Sequence, residues 1–290
     1  MMLIQVETGL KFMTTPLTNN NKTNQTSRLS VQISLTGLSF LVTSQEGSPL
    51  FFYEEKLERS YTPEELLMAM DEAFKGNEEL QRDFQGVQLL YSTNTYCAVP
   101  SSLFDENKAS EYLKFNTKIL GNDFIAHDVL KNHGVVVVYV PFININNYIF
   151  DRYGGFEYYH SASVLINDFL NMEKHNTEEK VFLHVKDTEF DCIVIHRGEL
   201  QLCNTYSYQT PEDFIYYVLF CLEQLKLNPD TVNISLCGSI DKTDEKFEFL
   251  YTYIRNIAFV SRDFEPFGEE QSHENYVLKT NSNAHNFWDA

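Results

Sequence analysis

Apolar and β-branched residues concentrate in three short stretches early in the chain, residues 29–35, 38–43 and 50–57. Their length and make-up predict successive β-strands, joined by tight turns at Thr36-Gly37 and Glu46-Gly47-Ser48-Pro49. A helix opening follows at Thr62-Pro63-Glu64-Glu65, where the threonine can cap free amides, proline suits the first helical position and the acids complement the positive helix end. Leu66, Leu67, Met70 and Phe74 then fall on one stripe, so this helix is amphipathic.

The same order returns later in the chain. Residues 181–185, 190–196 and 200–206 predict three more strands, with turns at Lys186-Asp187 and Arg197-Gly198. Thr210-Pro211-Glu212-Asp213 then repeats the helix opening, and the next strand follows in both halves, at 87–91 and at 232–236. A threonine-proline-acid opening alone is common. Five elements kept in order at nearly constant spacing instead predict an internal duplication. The second helix carries an almost unbroken apolar run from Phe214 to Leu222, which predicts burial on several sides.

Residues 95–169 do not repeat. They predict a strand at 96–99, a helical stretch at 107–115, a hairpin over 124–140 turning at Asn132-His133-Gly134, and a short helix from Ile145. A strand at 156–159 and a helix over 161–172 follow. The expected organisation is a flexible tail over 1–27, a first lobe with inserted structure over 28–175, a second lobe over 176–263 and a loose polar tail over 264–290. Both tails are rich in asparagine and other polar residues with little to bury.

Composition narrows the function classes. With 290 residues, 43% hydrophobic, the chain can bury a sizeable core. Its formal charge of −19 repels phosphate backbones and anionic lipid, and the basic residues are scattered, so no nucleic-acid partner is expected. The charge serves solubility, or docking onto a basic partner. Cys97, Cys192, Cys203, Cys221 and Cys237 are odd in number, show no C-x-x-C spacing and sit among apolar neighbours. They read as buried hydrophobes of a reducing compartment rather than disulfides or zinc ligands. The longest apolar block, Val135 to Val140, is strand-sized, and the N-terminus makes a poor signal peptide. A cytoplasmic protein without a membrane span is expected.

Three strands, helix, strand and helix, present twice, resemble the ribonuclease-H-like unit duplicated in the actin-like ATPase superfamily, and residues 181–238 look most like its pilus and secretion scaffold branch. The fuller chain, over roughly 29–257, resembles a Bacteroidetes family known as domain of unknown function 3822. The residues that carry this likeness are Leu29-Ser30-Val31-Gln32-Ile33-Ser34, Ala98-Val99-Pro100-Ser101-Ser102-Leu103-Phe104, Val137-Val138-Tyr139-Val140-Pro141-Phe142 and the stretch 210–238. The resemblance implies an α/β fold of two lobes with mixed sheets flanked by helices. In active members it also implies ATP in a cleft between the lobes, an Asp-x-Gly turn in each first hairpin and a Gly-Gly turn for the nucleoside.

This sequence departs from that pattern. The first turn, around Ser34, Thr36 and Gly37, has no aspartate; His184-Val185-Lys186 replaces the second triplet; and Cys237-Gly238-Ser239 keeps one glycine. Magnesium prefers oxygen ligands, so His184 suits it poorly, and Lys186 sets a long side chain where backbone would approach phosphate. The expected reading is a scaffold with no cofactor, metal or catalytic residue, which binds a protein partner and allows self-association. Two alternatives stay open: a nucleotide switch using Asp187 or Asp191 as shifted ligands with Lys186 on a phosphate, and a small-ligand regulatory module. The chain holds no G-x-x-x-x-G-K-[ST], G-x-G-x-x-G or G-x-S-x-G motif and no histidine pair at i, i+4. His127-Asp128 points to two faces of a strand, and Ser161 beside His160 reads as a helix cap. Around Gly154-Gly155, the aromatics Tyr148, Phe150, Tyr153, Phe156 and Tyr158 read as core or as a partner-binding surface.

Overall fold

The computed structural model describes residues 27–114, 119, 123–261 and 275–283. Most of the N-terminal stretch expected as a tail lies outside the described residues. Ser27, its last residue, already opens the first strand.

The described residues up to Val164 and from Val277 onward form one unit, and Leu165–Tyr276 form the other. In the first unit, β1 (Ser27–Ser34), β2 (Gly37–Ser44) and β3 (Pro49–Lys56) make an antiparallel meander. α1 (Pro63–Gly76) then leads back to β4 (Gly86–Tyr91), which lies parallel to β1. β5 (Tyr96–Pro100), α2 (Ala109–Leu113), β6 (Ala126–Leu130) and β7 (Val135–Tyr139) form the inserted part, whose strands make a separate sheet in the order β5-β7-β6. α3 (Ile143–Tyr153) returns the chain to β8 (Glu157–His160), parallel to β4, and α4 (Ser161–Met172) follows, belonging to the second unit from Leu165 on.

The second unit repeats the plan without the insert. β9 (Glu179–Val185), β10 (Glu189–His196) and β11 (Glu199–Ser207) form the meander. α5 (Pro211–Gln224) precedes β12 (Asn233–Gly238), and α6 (Glu245–Tyr253) precedes β13 (Asn256–Phe259). The two main sheets run β3-β2-β1-β4-β8 and β11-β10-β9-β12-β13, one topology twice. Each meander closes with tight turns, and each parallel strand needs a helical crossover, so the sequence order of elements dictates the strand order.

The first crossover helix of each unit, α1 and α5, opens on a complete capping box. Thr62 accepts from Glu65 N and Glu65 accepts from Thr62 N; Thr210 and Asp213 do the same. Arg59 pairs with Glu65, and with the Thr62 amide it holds that carboxyl down at about 2. α5 differs from its expected burial. Phe214, Ile215, Val218, Cys221 and Leu222 face the core, but Tyr216 and Phe220 stay 62% and 40% exposed. One sheet face cannot cover a helix that is apolar all round. The expected polar tail differs too: Tyr276–Asn283 forms α7, with Tyr276, Val277 and Leu278 buried. Three consecutive apolar residues supply an anchor there, and Tyr276 Oη donates to the buried Asp168 at 2.6 Å. No helix among the described residues is long and apolar enough to cross a membrane.

Candidate functional site

In the second unit the register of the sheet sets one row of side chains across four strands. His184 on β9 lies opposite Asp191 on β10 and Cys237 on β12, and Asp191 lies opposite Thr205 on β11. Facing residues of paired strands project to the same side, so the row becomes a polar network. His184 Nδ1 donates to Asp191 Oδ2 at 2.9 Å, and Thr205 Oγ1 donates to Asp191 Oδ1 at 2.6 Å. Lys186, just past the end of β9, reaches back to Asp191 Oδ1 at 3.4 Å and to Glu189 at 3.6 Å. Asp191 is only 3% exposed. Burial opposes its ionisation, but Lys186, His184 and Thr205 outweigh that and hold the carboxyl well below the usual carboxylate range. Burial, with the Asp191 charge nearby, pushes the Cys237 thiol up.

The turn above this row is also tied down. Lys186 N donates to Glu189 O at 2.8 Å, and Tyr208 Oη donates to Lys186 O. Asp187 stands exposed at the tip. Gly238 ends β12 at φ +89°, and a Cβ built there would lie 2.1 Å from Val185 O. Its missing side chain lets two strand ends meet, and Ser239 N then donates to Val185 O at 2.7 Å.

The first unit's turn closes on itself. Ser34 pairs with Gly37 at the end of the β1–β2 ladder. Ser34 Oγ donates to Gly37 O at 3.0 Å, accepts from Thr36 N at 3.3 Å and meets Thr36 Oγ1 at 3.4 Å. A Cβ at Gly37 would stand 3.0 Å from Glu55 O, so this glycine serves the close approach of β3.

Two further groupings bear on the sequence reading. Asp128, buried, accepts from Tyr139 Oη at 3.1 Å, His160 N at 2.8 Å and Ser163 Oγ at 2.7 Å. Ala162 N donates to His160 Nδ1. Asp128 and the His160 ring thus satisfy the start of α4, the role expected of Ser161. The aromatics flanking Gly154-Gly155 separate: Phe156 and Tyr158 are buried, whereas Tyr148, Phe150 and Tyr153 are half-buried. Tyr148 Oη donates to Asp71, and burial together with that bond pushes its hydroxyl up to about 12. Tyr153 Oη donates to Leu80 O, and both rings pack on Phe74. Among the described residues no three His, Cys, Asp or Glu side chains cluster as a metal site.

Asp191 and Thr205 are the residues that sequence reasoning undervalued. Asp191 is visible as an acid in an apolar strand, but its partners follow only from cross-strand register.

The family model of DUF3822, a protein family of unknown function, matches residues 16–257. The chain belongs to the DUF3822 family. Among solved structures, this DUF3822 chain is similar to a Bacteroides thetaiotaomicron protein of actin-like ATPase fold and unknown function. The TM-score is 0.77 at 19% identity, over 89% of this chain and 96% of that one. It is also similar to the chain of a PilM-PilN type IV pilus biogenesis complex, with a TM-score of 0.54 and 13% identity, over 91% and 98% of the two chains. These likenesses show that the DUF3822 chain has the actin-like ATPase fold. A sequence comparison with curated proteins finds no match.

Proposed function

We propose that this protein is a non-catalytic actin-like scaffold that binds a protein partner. The observation that carries the reading is the Asp191 row. The buried carboxylate beside the second hairpin is already shared among Lys186, His184 and Thr205. A magnesium–nucleotide site needs oxygens free for the metal and a cation or backbone nest open to phosphate. Here the lysine and the carboxylate neutralise each other, Gly238 is taken up by strand packing, and the first turn bonds to itself. These residues do not fit Mg-ATP.

Partner binding draws on two supports. A pilus biogenesis protein of the same fold is known as a complex with PilN. On this chain, α5 presents Tyr216 and Phe220 to solvent, stacked with ring centroids 6.4 Å apart and flanked along the helix by Glu212 and Glu223. Exposed aromatics of this kind anchor interfaces, and the acids, on a chain of charge −19, select a segment carrying Lys or Arg. Tyr148, Phe150 and Tyr153 on α3 are a second, less exposed candidate face. The test is affinity capture with purified wild type and the Tyr216→Ala/Phe220→Ala double variant. The reading expects one basic partner, captured less as salt rises and lost with the double variant while melting is unchanged. Equal capture by both would overturn the α5 assignment; absence of a specific partner would overturn the scaffold reading.

A further inference from the structure

β3 is the outermost strand of the sheet β3-β2-β1-β4-β8 and pairs with β2 alone. The register fixes which of its backbone groups that pairing uses. Leu57 N donates to Thr36 O at 2.9 Å, one step beyond the Lys56–Gly37 pair. Inward and outward residues alternate along an antiparallel ladder, so Phe51, Tyr53 and Glu55 bond to β2. The N–H and C=O of Phe52 and Glu54 point away from the sheet, and no described residue pairs with them.

Edge strands are normally blunted by charge, proline or a bulge. β3 carries these devices only at its ends. Pro49 and the register shift between Val42 and Thr43 stand at one end, and Glu54, Glu55 and Lys56 at the other. Between them runs Leu50-Phe51-Phe52-Tyr53. Phe51 and Tyr53 are half-buried, and the Tyr53 ring packs on Phe40 at 6.0 Å. On the opposite face Leu50 and Phe52 are 58% and 37% exposed. An open row of backbone donors and acceptors beside exposed apolar side chains is the surface that accepts an added strand.

We infer that the added strand is β3 of a second copy of this chain, paired antiparallel about a two-fold axis at Phe52. A two-fold contact requires the strand to be its own complement, and the sequence of β3 is. In this register Phe52 lies opposite its own counterpart and exchanges both backbone bonds with it. Phe51 lies opposite the partner's Tyr53, and Leu50 opposite the partner's Glu54. The two Glu54 side chains stand four positions apart along the ladder, about 13 Å. That exceeds the screening length of about 8 Å at physiological salt. A pairing centred on Glu54 would instead set two carboxylates face to face, which is destabilising. The charged end therefore selects the Phe52 register, and the closed pair leaves no β3 edge open, so assembly stops at two. The inference stands apart from the α5 reading, because β3 and α5 lie in different units.

The test is sedimentation equilibrium of the full chain over rising concentration and salt. One strand pair is a small contact, so a reversible dimer with a Kd between about 1 μM and 1 mM is expected. Phe52→Lys sets two cations opposite each other and removes an aromatic pair, so it should weaken the dimer about tenfold or more. Phe52→Pro deletes an amide that β2 does not use, and should weaken it similarly. Met68→Lys makes the same change at another exposed apolar position, on α1, and should leave the dimer intact. So should the Tyr216→Ala/Phe220→Ala double variant. Each copy carries a charge of −19, so added salt should strengthen the dimer, the opposite of the response expected at α5. Melting curves establish that each variant is folded, and Phe52→Lys, at an exposed edge position, is expected to fold. A monomer up to about 1 mM would overturn the inference. So would a dimer that Phe52→Lys leaves unchanged, one that the α5 double variant abolishes, or one that salt weakens.

Discussion

Asp191 is a buried carboxylate held by an ammonium, an imidazole and a hydroxyl. Its folded-state pKa is depressed, so its contribution is fully present above the unfolded value near 4 and is lost as pH falls through the folded value. Asp191→Ala removes the partner of two basic groups and should cost on the order of 3 kcal/mol at neutral pH, read by urea unfolding. The difference between wild type and variant should shrink below about pH 4. A pH-independent difference would mean that packing, not charge, makes the residue matter. This part of the site was only half legible in the sequence. His184 and Asp191 stand out as polar residues in apolar strands, with Lys186 in the turn between them, but Thr205 joins them only because β11 pairs with β10 in one register. In sequence Gly238 resembles the remnant of a nucleoside turn, but the close approach of Val185 O, 2.1 Å from where a Cβ would stand, requires glycine there independently of any ligand.

Elements were more legible than their surroundings, because turns and caps are local in sequence whereas burial is not. The two capping boxes fall at the expected threonines. Thr62→Ala and Thr210→Ala should each cost about 1 kcal/mol in thermal or urea unfolding. Lying in different units, they should add in the double variant. A cost near zero at either site would show that its cap is made good by other contacts. The outward face of α5 and the burial of α7 escaped the sequence reading. An apolar run does not say how many neighbours are available to cover it, and three apolar residues within a polar stretch are too short a periodic signal to anchor a helix prediction.

Across the whole molecule, the repeated strand order is the feature that the sequence carried most fully. The spacing of two strand triplets, two capped helices and two following strands predicted a duplication, and both main sheets have the same topology. The chemistry of the superfamily was the harder inference, since it rests on a few turn residues and not on periodicity. The central claim is that the actin-like fold persists here without a grip on phosphate. The most direct test is isothermal titration of the full chain with Mg-ATP. The account predicts no saturable heat at millimolar nucleotide, about the level at which an active site would be filled. A one-to-one binding isotherm that Lys186→Ala abolishes would contradict it.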